Sequence, residues 1–442
     1  MTLVNPTSET SRWPVALIAV AVTIPLLGVL NLASAARNLD PNLYLKQLLW
    51  AFGGFVLAYA MARVRPTTLE LISWPLYVVT AVLLVLVLVV GTPIKGAQRW
   101  LDLGPFNMQP SELAKVAMML VVARYFSTYE RPGGYTLLEL LRPLNPSRPL
   151  GLIAVAAWRA WHQRTLLEQA VDKGVAELPQ VDAVWLTATG IVVGVVWLVV
   201  SLLLLNVGGF DHRKIVAPLD IVFVPFVLVL VQPDLGTSSI VLGVALSQIL
   251  FCGMRLRDLL VSFVGFIGVA VLAWSFVLKD YQKQRIQTFL DPESDIQGSG
   301  YHAAQSIIAV GSGQVTGKGW EKGTQTQLSF LPENHTDFAF SVLGEEWGFI
   351  GGALLITLFF ALVALMLRVA GRATDRFSAL LAVGAASMVF WHAFINVGMV
   401  IGVLPVVGVT LPLVSYGGSS MVTKAIAIGF AVNAAVHHKR AA

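Results

Sequence analysis

Long apolar runs separated by short polar turns dominate the chain, and their length is more informative than their periodicity. A hydrocarbon core about 30 Å thick is crossed by about 20 apolar residues in a helix. Residues 13–36, 71–94, 183–210, 235–254, 259–278 and 347–367 meet that requirement. Runs at 47–62, 111–126, 215–231, 377–402 and 419–436 are shorter, bounded by proline or interrupted by a charge, and are read as further spans. The pattern predicts an all-α polytopic membrane protein. The stretch 280–340 is too polar to span and is expected to form a large loop, in which Phe289, Ile307, Ile308, Val310 and Phe330 would pack against the helix tops. A loop of that length is usually functional. No repeat of solenoid length and no low-complexity tract interrupts the series, so residues 1–442 are read as one membrane domain.

Charge sets the orientation. Arg63 and Arg65, Arg142 and Arg148, Arg213 and Lys214, Arg255 and Arg257, Arg368, Arg372 and Arg376, and Lys439 and Arg440 all sit in short connections. Cytoplasmic loops are enriched in such residues. One topology accommodates all of them, with both termini inside and residues 92–110, 280–340 and 403–417 outside. Eleven spans would break it, so the run at 183–210 needs a partner. Residues 150–161, interrupted by Arg159, supply one, giving a hairpin within 150–212 whose linker carries Glu168, Asp172, Glu177 and Asp182.

Composition agrees with this reading: of 442 residues, 56% are hydrophobic and 12% charged. The net charge of +5 is small and scattered through loops, which leaves no basic surface for nucleic acid. The residues before Arg12 lack a basic leader region and a small-residue cleavage site, so the first run is expected to be retained as a span. One cysteine, Cys252, excludes an intrachain disulfide.

Charged residues at the edge of a bilayer are costly and mark functional candidates. The segment FLPENHTDFAFSVLGEEWG, residues 330–348, places His335, Asp337, Glu345 and Glu346 at or just inside the mouth of an apolar helix. Asp337 at the start of that helix meets free N–H groups and the positive end of the dipole, which favour an ionised carboxylate. It is poised as a base or a cation ligand, or else Asp337 or Thr336 caps the helix. His335 and Asp337 diverge in any regular helix or strand, so a shared metal requires an irregular loop. Glu345 and Glu346 are alternatively ion-paired structural acids.

A second constellation joins a predicted outside loop to a helix start: Lys95, Arg99 and Trp100, then Gln109, Pro110, Ser111, Glu112 and Lys115. Lys95 and Arg99 are candidates for holding a diphosphate by charge-assisted hydrogen bonds. Trp100 would stack on a sugar or anchor in the interface. Glu112 and Lys115, three apart on one helical face, should point inward and pair with each other or with an acid elsewhere. The run GSGQVTGKGWEKG, residues 311–323, is not a nucleotide loop, because a Walker loop needs four residues between its glycines and a hydroxyl after the lysine. Lys318 and Lys322 remain anion contacts or solvated loop lysines. The turn QPDLG at 232–236 and the segment LPLVSYGGSS at 411–420 put proline and glycine at membrane depth, where irregular backbone lines a cavity or is covered by protein.

Taken together, KGAQRW at 95–100, QPSELAK at 109–115, QPDLGT at 232–237, LPENHTDFAFSVLGEEWG at 331–348 and NVGMVIGVLPVVGVTLPLVSYGGSS at 396–420 closely resemble the SEDS family, the RodA, FtsW and SpoVE proteins of bacterial wall synthesis. Pro405, Val406, Val407 and Gly408 look more like the elongation-type RodA branch than the FtsW branch, which usually carries a lysine before that glycine. The resemblance implies a bundle of ten core helices that polymerises lipid II on the outer face of the cytoplasmic membrane. It places the family's essential aspartate on Asp337, its loop tryptophan on Trp100, and the paired charges of the fourth core helix on Glu112 and Lys115. Residues 150–212 depart from the compact family pattern and are read as an inserted hairpin.

The family reaction demands a base and a stabiliser for the departing diphosphate. Asp337 is the expected base. A divalent cation, Mg or Mn, or the side chains of Lys95, Arg99, Arg285 and Lys318 would offset charge on the leaving group, with His335 nearby and no nucleotide required. Expected partners are lipid II, the lipid-linked glycan chain, a class B penicillin-binding protein and the rest of the elongation machinery. A lipid II flippase is the alternative, although a carrier should place its site near the midplane rather than at one face. A structural scaffold for wall enzymes is a third class, and it leaves acids at the mouth of the bundle without a reason.

Overall fold

The computed structural model describes residues 13–94, 97–141, 218–265 and 299–441, except positions 38, 103, 105, 106, 132, 256, 329 and 332, together with 268, 283 and 287–289. The hairpin expected within 150–212, the candidates Lys95 and Arg285, and most of the 259–278 span lie outside the described residues.

Helices cover the described apolar runs, and three more form outside them, α5 in a connection and α8 and α9 within the stretch 280–340 expected to be a loop: α1 (Trp13–Ala35), α2 (Leu43–Arg63), α3 (Pro66–Val90), α4 (Pro110–Thr128), α5 (Leu137–Leu141), α6 (Pro218–Val231), α7 (Leu235–Phe251), α8 (Ser299–Ser312), α9 (Thr324–Gln327), α10 (Ala339–Ala370), α11 (Arg376–Val400) and α12 (Gly418–Ala441). Among the described residues α1, α2, α3, α10, α11 and α12 are long and apolar enough to cross a membrane, and α6 and α7 are shorter apolar helices. This is a multi-pass, mostly helical membrane protein. The run at 71–94 predicts helix to its end, yet α3 stops at Val90. Gly91 turns extended, Pro93 has no N–H to continue the ladder, and residues 92–108 instead build a small antiparallel sheet. Its strands β1 (Thr92–Ile94), β2 (Ala97–Asp102) and β3 (Asn107–Met108) run in that order, with Thr92 opposite Trp100 and Leu101 opposite Met108.

The helix α4 is buried almost throughout, its charged Glu112 and Lys115 included, and packs against α3, α6, α7 and α11. Small residues bring α2 and α12 together. Ala51, Gly54, Ala58 and Ala62 line the buried face of α2. A Cβ on Gly429 would lie 2.5 Å from the Ala58 carbonyl oxygen. Such close approach replaces hydrophobic drive as the source of helix association in lipid.

The helix α10 starts eight residues before the predicted span at 347–367 and is broken at Gly348, whose φ of 63° and ψ of −161° are not helical. The glycine-rich run repairs the break. Lys318 N–H donates to the Glu345 carbonyl and Gly319 N–H to that of Glu346, both at 3.0 Å. In return, Phe349 N–H donates to Gln314 O at 2.8 Å and Ile350 N–H to Val315 O at 3.1 Å. Backbone groups freed inside a membrane must find partners within the protein, and that is the role of this loop.

Candidate active site

Segments distant in sequence meet at one end of the bundle. Arg99 on β2 donates through Nε to Gln232 O at 3.0 Å, bonds Pro233 O, and lies 3.9 Å from Asp234. Asp234 caps α7 by accepting from Thr237 N–H at 3.0 Å and also accepts from Gln109 Nε2 at 3.2 Å. The two QP motifs are therefore bonded to each other, and the guanidinium expected to meet the diphosphate is engaged by backbone carbonyls. Trp100 is half-buried on the same strand. Lys318 is also held within the protein, donating to Glu345 Oε1 at 2.7 Å and Thr324 Oγ1 at 2.8 Å. Glu345 is fully buried and accepts from Gln325 N–H as well, and Glu346 accepts from Ser34 Oγ at 2.5 Å, so both acids are built into the packing around α10.

Asp337 lies in an irregular turn, not in the helix. The cap position of α10 is Phe338, which makes no side-chain cap bond, and the Thr336 hydroxyl turns back to Glu333. Glu333 adopts a φ of 52°, and its carbonyl accepts from Thr336 N–H and Phe338 N–H. Two further ties fix the turn: Tyr416 N–H donates to His335 O at 2.9 Å, and Asn396 Nδ2 donates to Asp337 O at 2.7 Å. The His335 ring faces that of Tyr416 with centroids 6.4 Å apart. Asp337 is half-buried, and a Cβ on Gly408 would lie 3.4 Å from its Oδ2. The blocks at 331–348 and 396–420 thus converge on one carboxylate.

Deeper in the bundle is a cluster that the sequence only half revealed. Glu112 and Lys115 pair at 2.7 Å, as their spacing on one face predicts. The second carboxylate oxygen of Glu112 accepts from Thr423 Oγ1 at 2.7 Å and from Lys424 Nζ at 3.1 Å, while Lys115 Nζ lies 2.9 Å from His392 Nε2. All four charged or titratable side chains are buried. Lys424 also donates to Ser420 Oγ at 2.5 Å, and Ser420 bonds Thr410, which carries the chain of contacts out to the loop beside Asp337. His392 and Asn396 lie one turn apart on the same face of α11, so the cluster sits one helical turn beneath the residue that bonds the Asp337 turn. Lys424, His392 and Asn396 escape the sequence reading, although each is a lone polar residue in an apolar run, which is the signal that singles out the others.

Among the described residues no three His, Cys, Asp or Glu side chains gather as a metal site. A single hard carboxylate suits magnesium or manganese held jointly by substrate phosphates, and it does not make a zinc cage.

An all-helical membrane bundle with a carboxylate at one mouth and a buried ion cluster beneath it defines an integral membrane protein built around a polar site at one end. The family of cell cycle proteins typified by FtsW, RodA and SpoVE matches residues 12–153 and 192–440, and the chain belongs to it. The interval between the two matched stretches falls inside 150–212. The peptidoglycan glycosyltransferase MrdB of Escherichia coli strain K12 is 37% identical over 386 residues, 87% of this chain and 84% of that protein. Stage V sporulation protein E of Bacillus subtilis is 30% identical over 94% of this chain and 96% of its own length. Among solved structures, a chain of a peptidoglycan synthase complex that coordinates polymerization and crosslinking superposes with a TM-score of 0.67 at 27% identity, covering 96% of this chain and 97% of that one. The rod shape determining protein RodA of Thermus thermophilus gives 0.57 at 25% identity over 96% of each chain. These likenesses place the chain on the RodA-like branch.

Proposed function

We propose that this chain is a peptidoglycan glycosyltransferase that polymerises lipid II into glycan strands at the outer face of the bacterial cytoplasmic membrane during elongation. The observation that carries the reading is the convergence of the family's blocks on the half-buried Asp337, in a chain 37% identical to a protein of that activity. The 4-hydroxyl of one lipid II attacks the anomeric carbon of the lipid-linked chain. A new glycosidic bond forms, the bond from that carbon to the diphosphate oxygen breaks with inversion, and undecaprenyl diphosphate leaves. Asp337 takes the hydroxyl proton, since an alcohol is a poor nucleophile until it is deprotonated. Lys95, Arg285 and His335 are the groups that would meet the diphosphate, with Trp100 against a sugar, whereas Arg99 and Lys318 are engaged within the protein by the 232–234 turn and by Glu345. Glu112 and Lys115 shape the floor beneath. A divalent cation, when bound, would be held by Asp337 and would offset charge on the diphosphate.

Likeness to a chain of a synthase complex supports pairing with a class B penicillin-binding protein in the elongation machinery. Clustering of the polar site at one end favours chemistry over transport, because a carrier's site belongs near the midplane. The test is a gel assay of purified protein with labelled lipid II and a divalent cation, with and without a cognate transpeptidase. Wild type should give glycan ladders, and Asp337→Ala, folded, should lose about 10²–10⁴-fold in rate. No ladder under any partner or cation condition, together with lipid II scrambling in liposomes, would assign the chain to flipping instead.

A further inference from the structure

We propose that Asn396 is the positioning residue of the reaction: its amide fixes Asp337 against the 402–417 loop and thereby sets where the base meets the acceptor hydroxyl. The inference rests on the reading of Asp337 as the base. Asn396 is fully buried on α11. Its Nδ2 carries two hydrogens and donates both, to Asp337 O at 2.7 Å and to Val409 O at 2.6 Å. One amide therefore joins the two loops that α10 and α12 bring to the mouth. Both carbonyls lie outside helix and strand, one in the turn before α10 and the other in the 402–417 loop. Asp337 precedes the cap of α10, and Val409 follows Gly408, which has a φ of 71°.

The other end of the same side chain carries a cost. Asn396 Oδ1 is buried and has no hydrogen-bond partner. A buried acceptor left unpaired costs about 1–3 kcal/mol. An apolar group of the same size would remove that cost but strand the Asp337 and Val409 carbonyls, so the amide is kept for its two donors. Two donors at the spacing of two carbonyls, kept at the expense of an orphaned oxygen, fit a requirement for the placement of Asp337. Gly408 sits beside the same carboxylate: a Cβ there would meet Oδ2 at 3.4 Å, an ordinary contact, and it is the φ of 71° next to Val409 that disfavours a side chain. Movement of a reacting group by about 1 Å can cost 10²-fold in rate.

The experiment is steady-state polymerisation of lipid II by the protein with its cognate transpeptidase, comparing wild type, Asn396→Asp, Gly408→Ala and Asp337→Asn. Asn396→Asp keeps shape and removes both donors. It should lower kcat by about ten- to a hundredfold with KM for lipid II within about twofold, counted per folded molecule. Gly408→Ala leaves Asn396 intact and strains the backbone, at a φ of 71°, beside the Val409 carbonyl that Asn396 holds, so it should show the same split. It also carries the test if Asn396→Asp does not fold. A packing role predicts fewer folded molecules, each with wild-type kcat, and that outcome in both variants overturns the proposal. Retention of activity by Asp337→Asn would instead overturn the assignment of the base, which keeps the two failures distinct.

Discussion

At the scale of single residues, the buried cluster is decided by charge balance. Glu112 is the acceptor shared by two buried ammonium groups, Lys115 and Lys424, so its side chain holds the cluster together. Breaking a buried pair by removing one partner costs about 3–5 kcal/mol, because it strands the other charge. Glu112→Gln strands two and should be the most destabilising change in the cluster. Lys424→Met leaves Glu112 neutralised by Lys115 and should cost less. Thermal unfolding in detergent ranks the two, and the reverse order would sink this account. Outside the membrane, Glu139 and Thr136 form a capping box at the start of α5: Thr136 N–H donates to Glu139 Oε2 at 3.0 Å, and Glu139 N–H to Thr136 Oγ1 at 3.3 Å. The bond from Thr136 holds the Glu139 carboxyl below the usual carboxylate range, helped by Arg131. A depressed carboxylate stabilises above its unfolded pKa and stops doing so as pH falls through its folded pKa. Protection of the Thr136 amide against hydrogen exchange should therefore be constant near neutrality and fall in acid below the ordinary glutamate range, and Glu139→Gln should abolish that pH dependence.

At the scale of elements, the break in α10 makes backbone conformation the limiting factor. Gly348 and Gly317 both have positive φ, and a Cβ on either would strike the other segment, at Gly317 N for the first and at Glu346 O for the second. Gly317→Ala and Gly348→Ala should each cost more than the 1–3 kcal/mol typical of backbone strain alone, and jointly less than their sum, since both destroy one interface. Gly53 in the middle of α2 is the control, because a Cβ added there would meet nothing within 4 Å. Gly53→Ala should stabilise by about 0.5–1 kcal/mol. Thermal transitions of the three purified variants test the contrast. The sequence announces the glycine-rich run but not its purpose. Walker spacing excludes a nucleotide loop, whereas its hydrogen bonds to α10 depend on the run lying alongside a helix about thirty residues later in the chain.

At the scale of the molecule, the two ends differ in kind. One gathers the Asp337 turn, the β-hairpin and the 402–417 loop. The other gathers basic connections, where Arg376 pairs with Glu130 and Arg124 bonds Glu70 O. The asymmetry of loop charge predicts the basic end in the cytoplasm. In a Cys252→Ala background, Asp102→Cys should react with a membrane-impermeant maleimide on intact cells. Thr374→Cys should react only after permeabilisation. Both positions are exposed, so lack of access through burial does not confuse the result. The opposite pattern would invert the orientation and remove Asp337 from the face where lipid-linked wall precursors are polymerised.

The division between sequence and tertiary structure follows from range. Apolar runs fix the helices because a helix satisfies its own backbone bonds, and that local property is written in consecutive residues. Asp337, Glu112, Lys115 and Trp100 were legible because polar groups in a lipophilic chain are conspicuous and the blocks that carry them resemble a known family. The small sheet after α3, the break at Gly348, the engagement of Arg99 with the 232–234 turn, the sharing of Glu112 by Lys424, and the hold of Asn396 on Asp337 were not legible. The sheet pairs neighbouring residues and was hidden because its strands are only two to six residues long, whereas the others join segments far apart along the chain, by up to 312 positions for Glu112 and Lys424, and a polar group in lipid takes whichever partner the packing of helices brings to it.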